Sequence, residues 1–212
     1  MGQEILVIGL GTFGGLVARE LTTLGHEVLG CDRDPVVVAD AAPHLTQVVQ
    51  LDATDVDAIR AIGPTDFDVA VVALDRQTTI FTTMLLEQLG VRSILARAQS
   101  ELDAEILRRV GAARVLLTDS QMATWVARTI DLAGALDFIR LSAGIGAVHL
   151  EVPERLFGTT VGQVHAARPA LRIVAVHRGD DVITSPSDDT LLAAGDTALL
   201  IGPEEAFRAL AD

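Results

Sequence analysis

The sequence predicts an α/β fold, a doubly wound parallel sheet followed by a small α+β domain. Three observations carry that expectation. Short, nearly continuous apolar runs alternate with helix-period segments from Gln3 to about Ile130, the pattern of strands buried on both faces of a parallel sheet. The first run opens directly into Gly9-Leu10-Gly11-Thr12-Phe13-Gly14, a glycine turn between a strand and a helix. Beyond Ala133-Gly134-Ala135 the pattern changes, and Ala147 to Val152 alternates with Val148, Leu150 and Val152 on one face, as a half-buried antiparallel strand does.

In chain order, Glu4 to Ile8 is the first strand, and the helix after the glycines carries Leu16, Val17, Leu21 and Leu24. Gly9 permits the turn, Gly11 lets a phosphate approach the backbone, and Gly14 lets the helix pack closely on the strand. The helix N-terminus, with free N–H groups and a positive dipole end, suits a pyrophosphate. The second strand, Glu27 to Cys31, ends at Asp32, eighteen positions past Gly14. That is about the ~20-residue spacing at which a carboxylate accepts from ribose hydroxyls, and an acid there repels a 2′-phosphate. NAD(H) or an adenosine nucleotide is therefore favoured over NADP(H). The plainer alternative is that the glycines only tighten a turn and Asp32 only caps the next helix.

Pro35 to Ala42 is a short helix, Thr46 to Gln50 a third strand, and a helix with Ala58, Ile59 and Ile62 stops at Gly63-Pro64. Asp68 to Ala73 is a buried strand, and Gln77 to Leu89 a long helix closed by Gly90. Ser93 to Arg97 is the fifth strand, with Glu101 to Val110 as its helix. Val115 to Leu117 is the sixth, and Asp119 leads a helix through Ile130. Six such units imply a Rossmann-like sheet of order 3-2-1-4-5-6, with ligands bound across the carboxyl ends of the strands. Asp32, Asp52, Ala73, Leu74, Asp75, Arg97 and Asp119 all fall at those ends. The break near Gly134 divides the chain into residues 1–133 and 134–212. In the second part Arg172 to His177 and Asp181 to Thr184 flank Arg178-Gly179-Asp180, a hairpin signal. Thr159 to Ala167 and Glu204 to Leu210 read as helices, and Thr197 to Ile201 as a strand. At roughly 75 residues this domain is near the size where burial alone is marginal, and dimerising would help it.

Composition narrows the function. Hydrophobic residues make up 50% of the chain, ample for a core, yet no apolar run approaches the ~20 residues of a membrane helix. The opening residues enter a strand at once and carry an acid, unlike a signal peptide. A single cysteine, Cys31, precludes an internal disulfide and fits a reducing cytosol. The net charge of −13 argues against nucleic acid and anionic membranes. It suits docking onto the basic cytosolic loops of membrane proteins. All sixteen basic residues are Arg; the absence of Lys and Tyr removes two proton-transfer residues used by NAD-linked dehydrogenases. His26, His44, His149, His165 and His177 have no metal-ligand spacing.

With both parts placed, the chain resembles the RCK family, regulators of potassium conductance, and more narrowly a Trk/Ktr-type regulatory subunit with N- and C-terminal RCK domains. The resemblance covers essentially the whole chain. It rests on Gly9 to Gly15, Gly25-His26-Glu27-Val28, Asp32-Arg33-Asp34, Asp52-Ala53-Thr54, Arg97-Ala98-Gln99 and Val110-Gly111-Ala112 in the first part. In the second it rests on Arg172 to Val176 and Leu192 to Thr197. It implies a cytoplasmic, non-catalytic subunit that dimerises and assembles as an octameric ring beneath a membrane potassium transporter. Adenine nucleotide, ATP and ADP or NAD(H), would change the ring's shape. By position, Gly9, Gly11 and Gly14 would hold phosphates, with Thr12 and Phe13 between them also cofactor-binding. Asp32 and Asp34 would lie at the ribose with Arg33 between them as a further cofactor-binding residue, Asp52 and Ala53 at the adenine edge, Ala73, Leu74 and Asp75 along the pocket, and Arg97 near its mouth.

Two departures bear on the ligand. Thr12 stands where Ktr-type members often carry an Arg that reaches a terminal phosphate, which favours NAD(H) or ADP. Asp119 stands where some members hold a divalent cation with Glu; it would take Mg²⁺ or Ca²⁺ through water, or simply cap its helix. In some relatives the C-terminal pair binds cyclic di-AMP. Ile173, Val174, Arg178 and Pro186 lie in that stretch, and the alternative is that they form core and hairpin. Trp125 and the apolar face of Gln77 to Leu89 are candidate dimer contacts, with burial in the core as the commoner outcome. An NAD-linked oxidoreductase is the rival function.

Overall fold

The computed structural model describes residues 2–211. The chain divides into two compact units, residues 1–119 and 120–212.

In the first unit β1 (Glu4–Ile8), α1 (Thr12–Thr23), β2 (Glu27–Asp32), α2 (Pro35–Ala41) and β3 (Gln47–Gln50) form one half. The chain then runs through α3 (Val56–Ala61), β4 (Val69–Val72), α4 (Arg76–Gln88), β5 (Ile94–Arg97), α5 (Glu101–Arg109) and β6 (Arg114–Leu116). The sheet has the order β3-β2-β1-β4-β5-β6, parallel throughout, with Val7 level with Gly30 of β2 and Val71 of β4. This is the doubly wound arrangement the alternation predicts. Both faces are covered. Ile5, Val7, Val28 and Val71 pack with Leu10, Ala18 and Ala41 on one side. Leu6, Ile8, Ala70 and Val72 pack with Ile59, Leu86 and Ile94 on the other. Successive residues of a strand point to opposite faces, so two buried faces give a continuous apolar run. Each fully buried Leu or Ile contributes roughly 1.5–3 kcal/mol.

Helices α2 to α5 begin where they do because a polar side chain caps each one. Asp34 accepts from the Val36 N–H, Asp55 from Asp57 and Ala58, Asp75 from Thr78, and Ser100 from Asp103. Each cap satisfies an orphan donor and contributes about 1 kcal/mol. α1 is the exception: Gly11 occupies its N-cap position and supplies no side chain. What holds α1 is backbone contact. A Cβ on Gly14 would lie 1.8 Å from the Gly9 carbonyl oxygen, and Gly9 itself turns at φ +94° with room for only a hydrogen beneath Ala73.

The second unit contains most of α6 (Thr118–Asp131), then β7 (Ala135–Ser142), β8 (Ile145–Glu151), α7 (Val161–Ala167) and β9 (Arg172–Arg178). It ends with β10 (Asp181–Thr184), β11 (Thr197–Pro203) and α8 (Glu204–Ala211). Its antiparallel sheet runs β10-β9-β11-β8-β7. One face carries Phe138, Val148, Leu150, Ile173, Val176 and Leu200 into a core shared with Leu132, Val164 and Phe207. The sequence break at Gly134 is a real turn, with φ +77°, but the compact units separate fourteen residues earlier, at 119/120. Ion pairs contribute to this: α6 is tied to α8 by Arg128–Glu204 at 2.6 Å and Asp131–Arg208 at 2.8 Å.

Arg178, at the end of β9, makes a two-pronged pair with Asp196: Nε donates to Oδ1 at 2.8 Å and Nη2 to Oδ2 at 2.7 Å. Asp196 is 2% exposed and also accepts the Ala193 N–H at 2.8 Å. The Arg178 hydrogen bonds, opposed by burial, leave its carboxyl below the ordinary 3.8.

Two outcomes follow from this packing. Gly14→Ala should fail to give a stable fold, losing about 3 kcal/mol or more through a forced helix shift, whereas Gly11→Ala, with nothing within 4 Å of the added methyl, should cost about 1 kcal/mol or less; urea denaturation of the two variants checks this. Because Asp196 has a depressed folded pKa, its contribution is full above the unfolded value and is lost as pH falls through the folded one. Arg178→Ala should therefore lower the melting temperature clearly at pH 7, with the gap to the native chain closing as the pH drops below 3.8, as read by thermal melts across that range.

Candidate functional site

The carboxyl ends of β1, β2, β4 and β5 surround a cleft of about 380 Å³ in the first unit. Its rim at β1 is the glycine turn. Gly11 has open space where a side chain would stand, and the first N–H groups of α1 have no side-chain acceptor. Orphan donors at the positive end of a helix dipole form an anion site. Thr12 and Phe13 lie in that first turn, Thr12 exposed and Phe13 half-buried.

At the end of β2, Asp32 is half-buried and faces the turn. Its Oδ2 accepts the Leu10 N–H at 2.8 Å and its Oδ1 the Asp34 N–H at 2.9 Å. A carboxylate has about four acceptor positions, so Asp32 braces the glycine turn and keeps capacity for hydroxyl donors in the cleft. Cys31 lies beneath it. Burial first, and the Asp32 charge second, push the thiol up to about 12, so it stays protonated and unreactive at neutral pH.

At the end of β3, Asp52 Oδ1 accepts both the Thr54 N–H at 2.9 Å and the Thr54 hydroxyl at 2.7 Å. Those bonds, the backbone one first, hold its pKa below the usual range. Asp75, after β4, caps α4: Oδ2 accepts the Thr78 hydroxyl at 2.7 Å and Oδ1 the Thr78 N–H at 3.2 Å. The Thr78 hydroxyl is the larger cause of its lowered pKa. At the end of β5 the Arg97 guanidinium lies 5.5 Å from the centroid of the Phe13 ring. Its Nε donates to the Thr118 hydroxyl at 3.1 Å, and its Nη2 lies 3.6 Å from Asp119 Oδ1.

Gly9, Gly11, Asp32, Arg33, Asp52, Ala53, Ala73, Leu74, Asp75 and Arg97 line this one cleft. Thr12, Phe13 and Gly14 frame it without lining it. Asp34 caps α2 and borders an adjoining depression with Arg33 and Asp52. Thr54, Thr78 and Gln99 also line the cleft, and sequence reasoning assigned them no role. Thr54 and Gln99 close the Asp52-Ala53-Thr54 and Arg97-Ala98-Gln99 segments on which the family resemblance rests, so both carried a signal; Thr78 sits three positions after the Asp75 cap.

The remaining candidates lie elsewhere. Asp119 is in the first turn of α6 beside Arg97, and among the described residues no three His, Cys, Asp or Glu side chains converge as metal ligands. Asp119 is a single exposed carboxylate, and its nearest charged neighbour is the Arg97 guanidinium. In the second unit Ile173 is buried in the core, Val174 and Pro186 are half-buried, and Arg178 is engaged by Asp196 and the Leu191 carbonyl. Trp125 is 38% exposed, and its indole N–H donates to Asp137 Oδ1 at 2.6 Å.

Comparison with known proteins agrees with this architecture. The TrkA-N domain family matches residues 5–118 and the TrkA-C domain family residues 147–212. The Ktr system potassium uptake protein C of Bacillus subtilis is 33% identical over 205 residues, 95% of this chain and 93% of that protein. The GsuK channel bound to NAD superposes with a TM-score of 0.71 over all of this chain at 16% identity, a likeness of fold. A structure of GsuK bound to ADP is 29% identical over 57% of this chain, with a TM-score of 0.51. This chain spans 39% and 32% of those two GsuK chains. The sheet order, the glycine turn and both domain matches agree: the chain belongs to the family of TrkA-N and TrkA-C domain proteins, with the RCK fold.

Proposed function

We propose that the chain is a cytosolic, nucleotide-binding regulatory subunit that gates a membrane potassium transporter of Trk/Ktr type, and that it works by binding instead of catalysis. The observation that carries this is the open glycine turn braced by Asp32, in a chain alike over nearly its full length to a potassium uptake protein. An adenine nucleotide, ADP, ATP or NAD(H), would set its phosphates on the N–H groups following Gly11 and its ribose on Asp32. Its adenine edge would lie by Asp52 and Ala53. The ADP-bound GsuK structure supports a nucleotide in the equivalent fold. Residues 1–133 would be the nucleotide-binding part and 134–212 the regulatory and dimerising part, with dimers assembling as an octameric ring under the transporter.

The cleft's own chemistry supports binding over turnover. Hydride transfer to a keto or hydroxy substrate needs a proton donor or acceptor at the reacting carbon. The cleft is lined by no His, Lys or Tyr among the described residues, and Asp52 and Asp75 are bound to threonines that favour their charged forms. Asp119 faces Arg97 at 3.6 Å and Arg178 is held by Asp196 at 2.7 Å.

Nucleotide released by denaturing the purified protein and identified by mass should be an adenine nucleotide. Calorimetry should show Asp32→Ala weakening its binding by tenfold or more, the usual loss when a charged hydrogen bond is removed, and neither protein should reduce or oxidise nicotinamide with hydroxy or keto substrates. Unchanged affinity in the variant, observed turnover, or a strictly monomeric chain in solution would refute this reading.

A further inference from the structure

We propose that Asp119 is a built-in competitor for the Arg97 guanidinium, displaced by the terminal phosphate of ADP and left in place by NAD(H). The inference rests on the nucleotide reading above and adds how the site tells the two ligands apart.

The cleft is lined by three carboxylates, Asp32, Asp52 and Asp75, and by two guanidiniums, Arg33 and Arg97. Arg33 follows Asp32 at the ribose end. Arg97 reaches the other way, over the ring of Phe13 in the first turn of α1, beside the N–H groups that receive phosphates. Thr12 offers a hydroxyl there and no charge. A terminal phosphate, close to a dianion at neutral pH as a phosphomonoester is, therefore has Arg97 as its cation among the lining side chains. The two phosphates of NAD(H) are internal, carry one charge each and end in no dianion, so helix N–H groups suffice for them.

Geometry supplies the competition. Arg97 Nη2 is 3.6 Å from Asp119 Oδ1, with side-chain exposures of 28% and 75%. That distance exceeds hydrogen-bond length, and such an exposed pair is weak and screened by salt. A bidentate guanidinium–phosphate contact is stronger. Once Arg97 turns to phosphate, Asp119 faces a like charge, and Thr118 loses the Nε–H that its hydroxyl accepts at 3.1 Å. Thr118 and Asp119 are the first two residues of α6. ADP thus unfastens the start of that helix, whereas NAD(H) leaves it fastened.

The test is calorimetry of ADP and NAD on the full chain and on Asp119→Asn, with and without Mg²⁺, together with hydrogen exchange of peptides covering residues 115–125. The asparagine is expected to tighten ADP about two- to fivefold, the factor that corresponds to an exposed ion pair, to leave NAD unchanged, and to lose this effect at high salt. In the native chain ADP, and not NAD, is expected to speed exchange at the first turn of α6. Equal effects on both ligands, or none, would overturn the proposal. So would a loss of ADP affinity confined to Mg²⁺ buffers, which would make Asp119 a metal ligand. If the native chain binds neither nucleotide, the reading of the cleft fails before this inference is reached.

Discussion

The backbone contact between α1 and the end of β1 governs the first unit. With a methyl at Gly14 the helix could not lie where it does, because the Gly9 carbonyl oxygen already occupies that space. Close approach brings the N-terminus of α1 over the carboxyl edge of the sheet, and the missing side chain at Gly11 leaves those N–H groups uncovered. Asp32 completes the arrangement from the neighbouring strand by holding the Leu10 N–H. The turn, the uncovered helix end and the carboxylate are therefore one rigid unit, built by backbone geometry before any ligand arrives.

The acids around this unit do different work despite their shared position at strand ends. Asp75 is a helix cap and Asp52 a turn former, each with a threonine hydroxyl and N–H as partners. Their ionised forms are stabilised by these local bonds, so they shape loops and resist protonation. Asp32 touches only backbone donors within its reach, which leaves it as the carboxylate best placed to meet a sugar. An overall charge of −13 makes the two cleft arginines the more important, since any anionic ligand must approach against the field of the whole chain.

Much of this was legible in the sequence, for identifiable reasons. The doubly covered sheet followed from unbroken apolar runs such as Val69 to Val72 alternating with helices, and its strand order from six such units in the doubly wound pattern. Gly9, Gly11, Gly14 and Asp32 were found because turn geometry and hydrogen bonding restrict those positions to few residue types. What escaped was set by tertiary neighbours. β7 has only Phe138 buried, while Leu136, Ile139 and Leu141 are exposed, so its pattern carries no clear period. The ion pairs from α6 to α8 join residues 128 with 204 and 131 with 208, distances in sequence over which no local rule operates. The placing of Arg97 over Phe13 is of the same kind: both residues were candidates, and their contact across 84 positions was not.

A regulatory protein needs more than a good pocket. A ligand that binds two conformations equally well shifts neither, however tightly it is held. Glycine turn, Asp32 and the sheet edge are braced by close backbone contact and short hydrogen bonds, so they form a fixed seat for a ligand. Differential affinity must come from a contact that has two available partners. Among the described residues at the cleft, Arg97 is such a group, because it stacks on α1, grows from β5 and reaches into the first turn of α6 at once. A side chain shared between a rigid ligand seat and the start of a helix converts occupancy into a mechanical difference. That division of labour, with affinity built into the backbone and response built into one exposed ion pair, fits a ligand sensor better than an enzyme, where groups must be held fixed at the reacting atoms.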